Sequence, residues 1–175
     1  MPSDNKSIFL VVMGVSGCGK SSLAQCCSRA LQRPMVEGDD FHSEGNLAKM
    51  RSGTPLTDAD REAWLGLLVE QMHQNPQGAV LTCSALRLRY RDRLRKAIPG
   101  LRFIYLALSE NQAHERVAAR SSHLFPASLV ASQFDALEDP SHESGVLRLD
   151  ATQALAVLEA QAIDWVHGAV DRIQR

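Results

Sequence analysis

The segment Gly14-Val15-Ser16-Gly17-Cys18-Gly19-Lys20-Ser21 matches G-x-x-x-x-G-K-[ST] at every position. Its glycines let backbone N–H groups turn inward around phosphate oxygens. Lys20 supplies a positive charge for β and γ phosphates, and the Ser21 hydroxyl is a ligand for Mg²⁺. A helix beginning near Lys20 and running through Ser22 would aim its positive end at the same phosphates. The alternative is an ordinary glycine-rich strand-to-helix turn, which would not require the lysine and serine. The expected ligand is MgATP.

Other residues could complete a transfer site. Asp39 and Asp40 follow a short strand candidate, Met35–Glu37, and one of them could accept a hydroxyl proton or hold magnesium through water. A pair of turn-forming aspartates is the plain alternative. His42 could bond a hydroxyl, or be a solvated residue at a helix start. Arg87, Arg91 and Arg95 recur every fourth residue, giving one cationic stripe that is either a solvated face or an anion site. Ser84 lies at the same point, as a donor or a helix cap. Arg116 and Arg120 stand one helical turn apart before the irregular Ser121–Pro126 stretch, where arginines could cover phosphates.

These residues need a scaffold. Ile8–Met13 reads as a buried strand. Met35–Glu37, Ala79–Cys83, Arg102–Leu106 and Val146–Leu149 are four further strand candidates. Between them lie helical patterns. Thr57 and Asp60 form a capping-box pattern before the Trp64–Met72 stripe, and Asn75-Pro76-Gln77-Gly78 ends it. Leu86, Tyr90, Leu94 and Ile98 line a second helix. Leu158, Ala162, Trp165, Ala169 and Ile173 line a C-terminal one. Alternation of strand and helix predicts a parallel sheet covered by helices. Gly38–Pro55 is polar, punctuated by glycines, and expected to be a loop carrying part of the site.

The chain has 175 residues, which suits one domain. Nineteen Lys and Arg against twenty Asp and Glu give a net charge of −1, against a nucleic-acid binder. Cys18, Cys26, Cys27 and Cys83 form no C-x-x-C pair, which argues against zinc and for reduced thiols in a cytoplasmic protein. The run Ile8–Met13 is too short for a signal peptide or a membrane span. A guanine-reading Asn-Lys-x-Asp is missing, against a switch GTPase. Asp150, the one strand-end carboxylate that could anchor magnesium in a motor ATPase, lies very late and reads as a strand-end or capping residue. A related small kinase, for shikimate or a nucleoside monophosphate, and a nucleotide-binding regulator without an acceptor both stay open on these grounds.

The resemblance is more specific. Gly38-Asp39-Asp40-Phe41-His42, Asn46 through Arg61, Cys83-Ser84-Ala85-Leu86-Arg87 with Tyr90–Arg95, and Ser132–Pro140 follow the phosphate loop in order. Together they resemble the gluconate kinase family. The expected fold is a three-layer α/β sandwich with a five-stranded parallel sheet, whose order, by resemblance to nucleoside monophosphate kinases, would be 2-3-1-4-5. The gluconate kinase resemblance implies transfer of the ATP γ-phosphate to the 6-hydroxyl of D-gluconate, an acceptor segment over about 38–76, a lid over about 116–133, and a homodimer. Asp39 becomes the favoured carboxylate. Arg91, then Arg87, become candidates for the gluconate carboxylate, with His42, Lys49, Arg61, Ser84 and His123 around the acceptor. Arg116 and Arg120 become lid arginines, Arg120 in the transfer itself. Ala63 replaces the usual Pro before Trp64, Arg87 replaces a common Lys, and Ser121–Phe125 departs from the family's lid pattern.

Overall fold

The structure is a computed structural model that describes residues 6–120 and 126–172. In chain order it runs β1 Ile8–Met13, α1 Lys20–Leu31, β2 Met35–Glu37, α2 Glu44–Arg51, α3 Asp58–His73 and β3 Gly78–Thr82. It continues with α4 Leu88–Ala97, β4 Arg102–Ala107, α5 Glu110–Ala118, α6 Val130–Ala136, β5 Val146–Asp150 and α7 Leu155–Arg172. The sheet order is β2-β3-β1-β4-β5, and every pairing is parallel. This is the expected order.

Strand periodicity builds the layers. Leu10 and Val12 of β1 face one apolar cluster with Val80, Ile104 and α1 residues Leu23 and Cys27. Val11 and Met13 face the other, with Leu81, Phe103, Trp64 and Leu68. Successive side chains on a strand point to opposite faces, so a strand covered on both sides is apolar throughout. Helices α1 and α7 pack together in the first layer, and α3 and α4 in the second.

The Thr57–Asp60 capping box forms, with Asp60 N–H donating to Thr57 Oγ1 and Thr57 N–H to Asp60 Oδ2. Three expectations are revised. The Gly38–Pro55 stretch is not all loop, because Ser43 caps α2 and a 3₁₀ turn covers Gly38–Phe41. The second amphipathic helix starts at Leu88, not Leu86, because Ala85 takes a positive φ of 47° and Arg87 is extended. In α7 the buried positions are Leu158, Ala162 and Val166, while Trp165 is only partly covered and lies 5.2 Å from the Arg102 guanidinium; Ile173 lies outside the described residues. Asp150 closes β5 and accepts from the Thr152 N–H and hydroxyl, a strand-end role.

Candidate active site

The β1-to-α1 turn is built for an anion. Gly14 has φ 145°, and a Cβ there would lie 2.8 Å from the Leu106 carbonyl oxygen. Gly19 caps α1 with no side-chain acceptor, and no acidic residue occupies the first turn that begins Lys20-Ser21-Ser22. The first amides of α1 are thus left to an external acceptor. Lys20 Nζ rests 3.0 and 3.1 Å from the Gly14 and Val15 carbonyls. Val15 and Cys18 turn their side chains into the core, so Cys18 faces away from the anion position. Burial raises the thiols of Cys27 and Cys83 to about 12, which leaves both inert.

The Ser21 hydroxyl donates to Glu37 Oε2 at 2.7 Å, and the Thr82 hydroxyl donates to Glu37 Oε1. Glu37 is a residue the sequence reading missed. The signal for it was its place at the carboxyl end of β2, next to the magnesium-type serine. Ser21 and Glu37, joined by that bond, and Asp39, two residues after Glu37, offer hard oxygen donors. Among the described residues no three or more His, Cys, Asp or Glu form a metal cluster. That donor set suits Mg²⁺, which keeps waters and shares phosphate oxygens rather than sitting in an all-protein cage.

A cavity of about 350 Å³ opens beside the loop. That size matches small-ligand sites. Its lining includes Ser16, Lys20, Arg120 and Gln133, and also Asp39, His42, Arg61, Ser84 and Arg87. Gly38 anchors the turn that carries Asp39. Its N–H donates to Thr82 Oγ1 at 3.0 Å, and its carbonyl accepts from Trp64 Nε1 at 2.8 Å. A Cβ at Gly38 would lie 2.1 Å from the Thr82 carbonyl oxygen, so only glycine brings the Asp39 turn this close to β3. Asp39 keeps 57% of its side chain exposed, ready for a ligand. Asp40 does not line the cavity.

His42 is not solvated. Its side chain is 4% exposed, stacked on Trp64 at 4.3 Å, and 3.7 Å from Asp39 Oδ1. Burial lowers its pKa, the Asp39 carboxylate opposes that, and Arg61 adds to the lowering. The ring therefore stays neutral at neutral pH, able to donate or accept.

The arginine stripe divides. Arg91 is fully buried and cannot meet an acceptor. Its guanidinium binds Glu143 at 2.5 Å, the Ala85 carbonyl at 2.7 Å and the Glu138 carbonyl at 3.0 Å. Burial pushes the Glu143 carboxyl up, but bonds from Arg91 and Arg95 outweigh it and leave its pKa lowered. Position 91 faces inward because α4 packs its Tyr90–Leu94 side on the sheet, a register that spacing alone did not reveal. Arg95 joins the same cluster at 2.6 Å from Glu143 and lies over Phe103. Arg87 alone of the three reaches the cavity.

Lys49 also falls away from the cavity, held by Asp60 at 2.7 Å. Arg61 pairs with neither Asp58 nor Asp60. It lies 5.6 Å from the Tyr90 ring centroid, while Asp58 takes Arg89 at 2.5 Å and the Tyr90 hydroxyl. Ser84 is not a helix cap, since Arg87 holds that position. Arg116 spends its guanidinium on the Gly17 and Ala151 carbonyls at 3.3 and 2.9 Å, bracing the loop from outside the cavity. Arg120 is exposed on the cavity rim. His123 lies outside the described residues.

Comparison with known proteins now adds to this geometry. The AAA domain family matches residues 9–140. A gluconokinase of Gluconobacter oxydans is 42% identical over 82% of this chain and 83% of its own. The thermoresistant gluconokinase of Escherichia coli is 38% identical over 88% of this chain and 90% of its own. A gluconokinase from Sinorhizobium meliloti superposes with a TM-score of 0.87 at 39% identity, covering 95% of both chains.

Proposed function

The chain belongs to the gluconokinase family, and from that premise we propose that it transfers the γ-phosphoryl group of ATP to the 6-hydroxyl of D-gluconate. One observation carries the reading. A phosphate-loop lysine, Lys20, an exposed carboxylate, Asp39, and two arginines, Arg61 and Arg87, line one cavity of ligand size.

The roles follow from chemistry. Gly14 through Ser22 surround the phosphates, with Lys20 at the β and γ oxygens. Ser21, with Glu37 and Asp39, would hold Mg²⁺ directly or through water, and the ion would supply neutralisation of charge on the phosphate oxygens. Asp39 accepts the proton of the attacking hydroxyl, being within the same cavity and open to a ligand. His42 and Ser84 bond acceptor hydroxyls. Arg87 and Arg61 replace Arg91 and Lys49 as partners of the gluconate carboxylate, Arg87 through its planar fork. Arg120, from a lid over about 116–133, closes on the transferring group. Arg116 holds the loop from behind, next to the nucleotide. His123 belongs to the same lid. The whole chain acts as one kinase domain, as a cytoplasmic homodimer. No helix among the described residues is long and apolar enough to cross a membrane.

The test is ADP release across a panel of sugar acids and the neutral alcohol glucitol. Release that rises with gluconate and hardly with glucitol supports the reading. Slow hydrolysis indifferent to every acceptor overturns it in favour of a nucleotide-binding regulator.

A further inference from the structure

The motif Ser132-Gln133-Phe134 has no role in the account so far. Gln133 sits on α6, whose inward positions are Val130 and Gln133. A carboxamide on that buried face must be used, since burying it without partners is unfavourable. It is 9% exposed. Its Oε1 accepts from the Ser16 backbone N–H at 2.6 Å, across 117 residues of chain. That bond fixes the orientation of the amide, because the flipped form would set two donors against each other. The Nε2 group makes no hydrogen bond to another described residue and is not sealed in the core, so its two N–H donors stay open on the cavity side. Gln133 lines the cavity together with Ser16, Lys20, Arg120 and Ser132.

The position has a chemical consequence. The third residue of the phosphate loop does not have its amide free for phosphate, because Gln133 has taken it. In exchange, the loop tip and α6 together hold a neutral donor in the cavity that Lys20 also lines. A donor of fixed direction lowers the energy of charge developing on an oxygen without reorganisation. A neutral one adds no net charge to a site that already holds cations.

We propose that Gln133 is a catalytic residue whose Nε2 donates to an oxygen of the transferring γ-phosphoryl group, while its Oε1 holds the loop tip through Ser16. This rests on the kinase reading above and deepens it. The group transferred is unchanged: the bond to the β–γ bridging oxygen breaks, the bond to the acceptor oxygen forms, and Asp39 takes the proton. Gln133 gives no proton away.

Two variants separate the donor from the clamp. Gln133→Met removes both functions. Gln133→Glu keeps an acceptor for the Ser16 N–H but sets a charge against the phosphate. Calorimetric binding of ADP and of a non-hydrolysable ATP analogue is measured beside kcat and the melting temperature. For Gln133→Met we expect ADP affinity within about threefold of wild type, analogue affinity about tenfold weaker, and kcat down about 10²–10³-fold. Gln133→Glu should be worse than Gln133→Met in both analogue binding and kcat. A Gln133→Glu enzyme that turns over like wild type overturns the proposal and leaves only a clamp. Equal weakening of ADP and analogue in both variants, with lowered melting temperatures, overturns it too. If wild type shows no gluconate-dependent turnover, the kinase reading fails, while the ADP-to-analogue comparison still decides the γ-phosphate contact.

Discussion

Replacing Arg91 with Met should cost stability and leave acceptor choice nearly intact. The side chain is fully buried, and the change removes its pair with Glu143 and its bonds to two carbonyls. Breaking a buried pair costs about 3–5 kcal/mol. Glu143 is 20% exposed and keeps Arg95 at 2.6 Å, which favours the low end. The orphaned Ala85 carbonyl adds about 1 kcal/mol or more. The sum is about 4 kcal/mol, and at about 2–4 °C per kcal/mol for a chain of this size the melting temperature falls by about 8–16 °C. The assay is a thermal scan beside gluconate KM at low temperature. Arg91→Met should leave that KM within a few-fold. Arg91 also holds the Ala85 turn next to Ser84 and Arg87, so kcat can drop somewhat. A melting temperature unchanged within about 2 °C, with KM raised about tenfold, would refute the reasoning and return Arg91 to the acceptor.

Arg87→Met should do the opposite: raise gluconate KM about tenfold or more through loss of a charge-assisted pair, leave the melting temperature alone, and narrow the gap between gluconate and glucitol. Lys20→Ala should keep the fold and lose most transfer activity at saturating MgATP, since Lys20 lies at the loop carbonyls and in the cavity. Near-normal turnover in that variant would contradict the loop assignment. Asp39→Asn should lower kcat by about 10²–10⁴ with little effect on nucleotide affinity, while Asp40→Asn should be mild; a reversal would move the base to Asp40. The pH dependence follows from His42, whose pKa burial lowers from 6.5. Its contribution to stability is full above 6.5 and is lost as pH falls through the lowered value, because the unfolded chain binds the proton first. Urea unfolding across that window should flatten in His42→Asn, and an unchanged slope would exclude His42 as the source.

Much of the fold was written in local pattern. The phosphate loop, the short Val- and Ile-rich runs and the Thr57–Asp60 capping box are read within a few residues of chain, and the sheet order followed from the resemblance they support. The arginine stripe was harder. Spacing sets which residues share a helix face, but not which face meets the core, and Glu143 is 52 residues from Arg91. The Ser16–Gln133 bond spans 117 residues, and even the Lys49–Asp60 pair joins two different helices. Glu37 was hidden because it ends an apolar strand, where a carboxylate looks like a boundary rather than a ligand. Ala85 carries a left-handed φ that nothing in its residue type announces.

The central claim is the transfer of phosphate to one hydroxyl of one acid, and phosphorus NMR of the reaction mixture reads it directly. With MgATP and gluconate, the account predicts a new phosphate ester resonance split into a triplet by the two protons on carbon 6. It should grow in step with ADP and be absent without gluconate. Inorganic phosphate appearing at the same rate with and without gluconate, or an ester coupled to a single proton, would contradict it.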